Sequence, residues 1–359
     1  VTEGVESLVC VTAQHREMLD QVLNLFKIEP DYDLNLMRSN QSLAGLTAEI
    51  FTRLDPLLEQ IAPDWILVQG DTTTVMCAAL AAYYRRIKVG HVEAGLRTGD
   101  KWQPFPEEIN RRVAGIVADL HFAPTSVNRA NLLGEGVEDW RIHVTGNTIV
   151  DALYAIMQHT PPTATVKLLE DLNIGENGKK LVLVTAHRRE NFGRPLEEIC
   201  EGLKQIAQEN PGIEMVYPVH LNPNVQEPVH RLLGKIHNIH LLQPQDYLPM
   251  VHLMRSASLI LTDSGGLQEE ATALGIPTLV LREVTERPEG IQAGILKLVG
   301  TEPNRMLTEA NRLLKNSAKQ PFEYQHINPF GDGHAAERIV KILLKQQETR
   351  TEEAPSRKP

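Results

Sequence analysis

The sequence has 359 residues, 42% of them apolar, which is longer than one core usually serves and rich enough to fill two. A formal charge of −10 and a pI near 5.7 exclude a broad basic face for nucleic acid or an anionic membrane, so any anionic ligand must meet local cations. No apolar run approaches the roughly eighteen residues of a spanning helix, and Cys10, Cys77 and Cys200 stand too far apart for a disulfide framework or a thiolate metal site, so a soluble cytoplasmic protein is expected.

In chain order, Ser7–Thr12 reads as a strand and His15–Phe26 as a helix with one apolar face at Met18, Leu19, Val22, Leu23 and Phe26. After a polar stretch comes a helix over Leu43–Ile61 and a strand over Trp65–Val68 that runs into Gly-Asp-Thr-Thr-Thr. Helix Val75–Tyr84, strand Lys88–Val92, helix Pro106–Val117, strand Leu120–Ala123, helix Val127–Leu133 and strand Ile142–Val144 complete a first half. Thr-Pro-Pro-Thr and Gly-Glu-Asn-Gly within His159–Lys180 predict a linker. The second half has strands at Leu181–Thr185, Glu214–Tyr217, Ile239–Leu242, Leu259–Leu261 and Thr278–Leu281. Its helices are Leu196–Gln208, Pro228–Leu233, Leu248–Arg255, Gln268–Leu274 and Pro303–Lys315. The alternation predicts an α/β protein of two doubly wound, parallel-sheet (Rossmann-like) domains facing across a cleft, residues 1–158 and 180–333. Helix His334–Gln347 is expected to pack back on the first domain, and the charged tail Thr349–Pro359 to fray.

Nearly every predicted strand ends in polar residues. These are Asp71 with Thr72–Thr74, His91 through Arg97, Glu107-Glu108 ahead of Arg111-Arg112, His187 through Glu190, His220 with Asn222, Gln245, and Ser264 through Glu270. Singly each has an ordinary structural explanation, as a helix-start charge or a solvated face; together they fall where a doubly wound fold builds its site. Ser264-Gly265-Gly266 between a strand and a helix suits a phosphate, with Glu269 or Glu270 placed for ribose hydroxyls, although an ordinary capped corner has the same look. Gly331-Asp-Gly-His-Ala-Ala imitates a dinucleotide fingerprint but follows no strand, so NAD binding is rejected there. No compact histidine or carboxylate set suggests a metal, and Gly265-Gly266 lacks the Lys-Ser/Thr of a P-loop.

A resemblance now becomes visible. Gly-Asp-Thr-Thr-Thr at 70–74, His-Val-Glu-Ala-Gly-Leu-Arg-Thr at 91–98, Phe-Pro-Glu-Glu at 105–108, Thr-Ala-His-Arg-Arg-Glu-Asn at 185–191, Tyr-Pro-Val-His-Leu-Asn-Pro at 217–223, Thr-Asp-Ser-Gly-Gly-Leu-Gln-Glu-Glu at 262–270 and Thr-Glu-Arg-Pro-Glu at 285–289 resemble the bacterial non-hydrolysing UDP-N-acetylglucosamine 2-epimerases, over essentially residues 8–345. The resemblance implies a GT-B-like fold and reversible conversion of UDP-N-acetylglucosamine to UDP-N-acetylmannosamine by anti elimination of UDP and re-addition through 2-acetamidoglucal, without cofactor or metal. By motif it makes Asp71, Glu93 and Glu107 the acid/base carboxylates and puts His187 at the diphosphate. It assigns Gln245 and Met250, where relatives often carry phenylalanine, to the uracil, Ser264, Gly265 and Gly266 to the phosphates, Glu270 to the ribose, and Arg287 to the substrate. Gln14, His15 and His220 match positions where relatives bind UDP-N-acetylglucosamine as an allosteric activator, and a homodimer is implied. The family's usual first strand, Gly-Thr-Arg-Pro-Glu turn and helix find no match, so a first sheet lacking a central strand is expected. Hydrolysing epimerisation, GT-B glycosyl transfer and inactive sugar-nucleotide binding stand as the alternatives.

Overall fold

The computed structural model describes residues 4–12, 16–36, 41–175, 178–316 and 328–353. The chain divides into two compact units, Val1–Gly146 with Glu337–Pro359, and Asn147–Ala336.

In the first unit β1 (Cys10–Val11), α1 (Arg16–Phe26) and β2 (Tyr32–Asp33) precede the long α2 (Leu43–Ile61). Ser42 starts α2 by accepting a hydrogen bond from the Gly45 N–H at 3.0 Å, and Leu46, Ile50, Leu54 and Leu58, one turn apart, form its buried stripe. There follow β3 (Trp65–Gln69), α3 (Thr73–Tyr84), β4 (Lys88–Val92), α4 (Glu107–Val117), β5 (Leu120–Ala123), α5 (Ser126–Gly134) and β6 (Ile142–Val144). Strands β3-β4-β5-β6 form one parallel sheet in that order, while β1 and β2 pair in parallel as a separate two-stranded sheet. Among the described residues no strand pairs with the outer edge of β3.

The second unit opens with α6 (Thr148–Met157) and α7 (Thr163–Asp171), followed by β7 (Lys180–Thr185), α8 (Arg194–Glu209), β8 (Ile213–Pro218), α9 (Pro223–Leu233), β9 (Ile239–Leu242), α10 (Tyr247–Ser256), β10 (Ala257–Thr262), α11 (Gly265–Ala273), β11 (Thr278–Val280), α12 (Pro288–Gln292), β12 (Leu296–Leu298) and α13 (Pro303–Asn316). Its all-parallel sheet has the order β12-β11-β10-β7-β8-β9. The chain winds outward from β7 and then returns to β10 to wind the other way, so the topological switch point lies between β7 and β10. Leu181–Val184 and Leu259–Leu261 are buried on both faces, as strands covered by helices on either side must be. Helix α8 covers one face with Leu196, Ile199, Leu203 and Ile206.

The structure is α/β with two parallel-sheet units, the expected class. Several boundaries differ from the sequence reading. The division falls at Gly146/Asn147, not within 158–180, and that stretch contains α7, because Pro161 and Pro162 lead into a helix rather than break one. Helix α6, capped by the Asn147 side chain on the Ile149 N–H at 3.2 Å, belongs to the second unit. Helix α9 begins at Pro223 behind the Asn222 cap and carries Pro228 inside it, and Gly265 and Gly266 are the first turn of α11 rather than a turn ahead of it. The segment expected as strand Ser7–Thr12 forms only β1, and the short β2, β12 and α12 have too few residues for a period to show. The last helix, α14 (Ala335–Glu353), runs into the stretch expected to fray.

Candidate active site

In the second unit, polar residues gather at the carboxyl ends of β7 and β10. Thr185 and Thr262, the last residues of these neighbouring strands, share a buried hydroxyl contact of 2.7 Å, and the Ser264 N–H donates to Thr262 Oγ1 at 3.0 Å. Ser264 then caps α11 in an extended conformation with no side-chain cap bond, which leaves its hydroxyl and the first N–H groups of a nine-residue helix for a ligand. Such a corner draws an anion through aligned N–H dipoles. The corner is tight: a Cβ on Gly265 would lie 2.7 Å from Nη1 of the ion-paired Arg287, and one on Gly266 would lie 3.2 Å from Ile149 Cδ1.

Across the switch point, the fully buried Asp263 gathers the loop after β7. Its Oδ2 accepts from the His187 N–H at 2.9 Å, the Arg188 N–H at 2.8 Å and Asn191 Nδ2 at 2.9 Å. The His187 imidazole is partly exposed and stacks on His220 with centroids 5.3 Å apart and planes 8° from parallel. Burial lowers the His187 pKa, with the Asp263 carboxylate working against that shift.

One turn into α11 the two glutamates part company. Glu269 accepts from Arg287 Nε at 2.6 Å and from Asn147 Nδ2 at 2.5 Å, an internal clamp. Glu270 has the Tyr247 hydroxyl at 2.7 Å, and burial raises its carboxyl to about 7. Arg287, expected to meet the substrate, is turned into the protein, its guanidinium taken up by Glu269 and by Glu286 at 2.6 Å. A buried cation beside carboxylates is more stable paired than free, which explains the inward turn. Gln245 follows β9, donating from Nε2 to the Gln243 carbonyl at 2.8 Å, and Met250 is half-buried on α10.

In the first unit, Asp71 follows β3 and Glu93 follows β4, neighbouring parallel strands, so both stand at one sheet edge. Gly70 has φ +81° and Glu93 φ +62°, and a Cβ on Gly70 would lie 3.3 Å from Glu93 Oε2. The Glu93 carboxylate therefore lies over the residue next to Asp71, and that turn needs glycine. Helix α4 joins them: Asn110 Nδ2 donates to the Asp71 carbonyl at 2.9 Å, Arg111 pairs with the Asp71 carboxylate, and Glu107 opens the helix with a buried Oε2 that has no hydrogen-bond partner among the described residues. Asp71 and Glu93 thus stand at one sheet edge, with α4, which opens at Glu107, held to Asp71 by Asn110 and Arg111.

Glu108, Asp263 and His91, which stand in the sequence motifs without a role of their own, hold the framework around these residues. Glu108, wholly buried, accepts from Arg111 at 3.4 Å, from Arg112 Nη2 at 3.1 Å and from the Thr98 N–H at 3.2 Å, making it the anchor behind Glu107. Its spacing of three and four residues from the two arginines was the available signal. His91 donates from Nε2 to the Gly70 carbonyl at 2.8 Å, and burial lowers its pKa to about 4. Gln14 and His15 lie outside the described residues, whereas His220 is the ring stacked on His187. Among the described residues no group of three or more His, Cys, Asp or Glu is placed to hold a metal ion, and no helix is long and apolar enough to cross a membrane.

Residues 2–344 match the family model for UDP-N-acetylglucosamine 2-epimerase. The chain is 53% identical over 349 residues to the UDP-N-acetylglucosamine 2-epimerase of Yersinia pestis, covering 97% of this chain and 93% of that one. Its fold is similar to the crystal structure of UDP-GlcNAc 2-epimerase from Neisseria meningitidis bound to UDP-GlcNAc, with a TM-score of 0.89 and 46% identity over 96% of this chain and 93% of that chain. A Methanocaldococcus jannaschii UDP-GlcNAc 2-epimerase in complex with UDP-GlcNAc and UDP gives a TM-score of 0.81 at 31% identity, covering 95% and 92% of the two chains. Sequence match over nearly the whole length and fold similarity at this identity lead to one conclusion: the chain belongs to the UDP-N-acetylglucosamine 2-epimerase family.

Proposed function

We propose that this chain interconverts UDP-N-acetylglucosamine and UDP-N-acetylmannosamine without hydrolysis, by anti elimination of UDP and re-addition through 2-acetamidoglucal. The observation that carries the reading is the placing of Asp71 and Glu93 at one sheet edge, with the helix that opens at Glu107 bound to Asp71 through Asn110 and Arg111, in a member of a family whose relatives are crystallised with UDP-GlcNAc. The C2 hydrogen of an N-acetylhexosamine has no adjacent carbonyl to acidify it. Its removal becomes feasible when the C2–H electrons form a C1=C2 double bond as the C1–O pair leaves with UDP; re-addition of UDP at C1 with a proton delivered to the other face of C2 completes the epimerisation. Nothing is oxidised or reduced. Carboxylates must take and return the proton, and a cation or aligned N–H groups must stabilise the departing diphosphate.

The first unit supplies such carboxylates. The second supplies Ser264 with the N-terminus of α11 for phosphate, His187 for the diphosphate, Glu270 for the ribose hydroxyls, and Gln245 with Met250 for the base, while Arg287 braces the cradle from behind through Glu269. UDP-N-acetylglucosamine as an activator at His220, and assembly as a homodimer, complete the proposal. Incubation with UDP-N-acetylglucosamine in deuterated water, followed by NMR, tests it: deuterium should appear at C2 of both intact UDP-sugars. Free N-acetylmannosamine with UDP would establish the hydrolysing reaction, sugar transfer to an acceptor a transferase, and UDP binding without turnover an inactive binder.

A further inference from the structure

Asp263 has two carboxylate oxygens in different circumstances. Oδ2 is saturated by three N–H donors that draw the loop after β7 onto the end of β10. Oδ1 is buried with no hydrogen-bond partner among the described residues, and lies 3.8 Å from His187 Nδ1. Burial of a carboxylate oxygen without a donor is costly, so a site that keeps one must use it. A candidate donor facing it is the His187 ring. That ring has its Nδ1 on the Asp263 side, is stacked on one face by His220, and is partly open to solvent.

We propose that Asp263 is a positioning residue for His187, setting the tautomer with the proton on Nδ1 and presenting Nε2, free of its proton, to the ligand at the switch point. This deepens the reading above and rests on it for the nature of that ligand, a diphosphate leaving group. A proton bound at Nε2 then makes an imidazolium whose charge is matched by a carboxylate wholly withheld from water, in the manner of a carboxylate–imidazole pair. With Nε2 protonated from solvent, the imidazolium donates that proton to the phosphate oxygen as the C1–O bond breaks and takes it back as the C1–O bond re-forms. The C2 proton is a separate transfer, taken up by a carboxylate on one face of C2 and replaced from the other.

The architecture provides a clean test. In Asp263→Asn the three N–H donors demand an acceptor where Oδ2 now sits, so the amide oxygen must take that place and the NH₂ group must face His187. The loop stays closed while the group opposite Nδ1 changes from acceptor to donor, and the imidazole is driven to carry its proton on Nε2. Ring nitrogens of ¹⁵N-histidine-labelled protein report this directly, with the His187 signals assigned by their loss in His187→Gln. The expected result is an Nδ1–H tautomer in the wild type and Nε2–H in Asp263→Asn, with an unchanged melting profile and at least a tenfold lower kcat for epimer formation. Asp263→Asn should cost nothing further when made on His187→Ala, because the two side chains act as one unit. Identical ring-nitrogen shifts in wild type and variant, or a full additional loss on the His187→Ala background, would overturn the proposal. The nitrogen shifts need no turnover, so an inert wild type would refute the epimerase reading and leave the Asp263–His187 assignment to be judged on the spectra alone.

Discussion

Glu270 shows how much a single buried carboxyl shapes this protein. Burial raises its pKa to about 7 from an ordinary 4.5, against a single hydrogen bond from Tyr247. A carboxyl with a raised folded-state pKa stabilises the fold fully below pH 4.5, and that stability is lost as pH rises through about 7. Glu270→Gln should therefore be more stable than wild type at pH 8, on the order of 3 kcal/mol at most, and indistinguishable at pH 4.5. Urea titrations at the two pH values measure this, and an equal gain at both would show that the carboxyl does not titrate in this range. If ribose hydroxyls donate to the ionised form, the same variant should also weaken UDP binding about ten- to a hundredfold at pH 8, read by calorimetry. At this scale the sequence was partly legible. Residue type and position after a strand marked Asp71, Glu93 and Ser264, because the chemistry of a strand end depends on local order alone. The division of labour between Glu269 and Glu270, or between Glu107 and Glu108, was not legible. It is decided by partners far along the chain, Arg287 and Asn147 in one case, and by which face of a helix turns inward in the other.

Elements explain a second, acid-sensitive feature. Register in the first sheet sets His91 of β4 opposite His121 of β5, both buried. Neither His121 nitrogen has a hydrogen-bond partner among the described residues, and burial lowers its pKa to about 3, helped by His91 and two arginines. A histidine with a depressed folded-state pKa contributes stability that is present above its unfolded value of 6.5 and is lost as pH falls toward about 3. His121→Leu should remove that sensitivity at this position. Of the stability the wild type loses between pH 7.5 and pH 5, about 2 kcal/mol should disappear in the variant, as followed by denaturant unfolding. An unchanged pH slope would show that His121 is not the titrating group. The same strands were the most legible part of the chain. Lys88–Val92, Leu120–Ala123 and Ile142–Val144 have the bounds read from sequence, since each is a short, largely apolar run between helices and turns whose residues mark its ends. Helix α7 was missed because Pro161-Pro162 was taken as part of a linker, and α9 was started at Pro228, which lies inside it, instead of at Pro223.

For the whole molecule, the question is how a chain that leaves its first unit at Gly146 completes it only from Glu337 onward. The answer lies in α14: Ile339, buried, packs with Val92, Leu120 and Phe122 of the first sheet, with Trp65, Ile342 and Leu343 around it. The second unit is contiguous, Asn147–Ala336, and holds its own large core of Val182, Leu203, Met215 and Leu261 among others. Stability should therefore be unevenly sensitive to the chain's end. Ile339→Ala removes apolar volume from a core to which the surrounding strands contribute one face, and should cost about 2–5 kcal/mol in the first unit. Hydrogen exchange followed by mass spectrometry separates local from global effects. Amides of β4 and β5 should exchange faster in the variant, while those of β7, β8 and β10 keep wild-type protection. Uniformly faster exchange across both sheets would mean that the two units unfold as one cooperative body. The gap in sequence between Gly146 and Glu337 would then mark only the path of the chain, since the second unit would have no stability separable from the helix that closes the first.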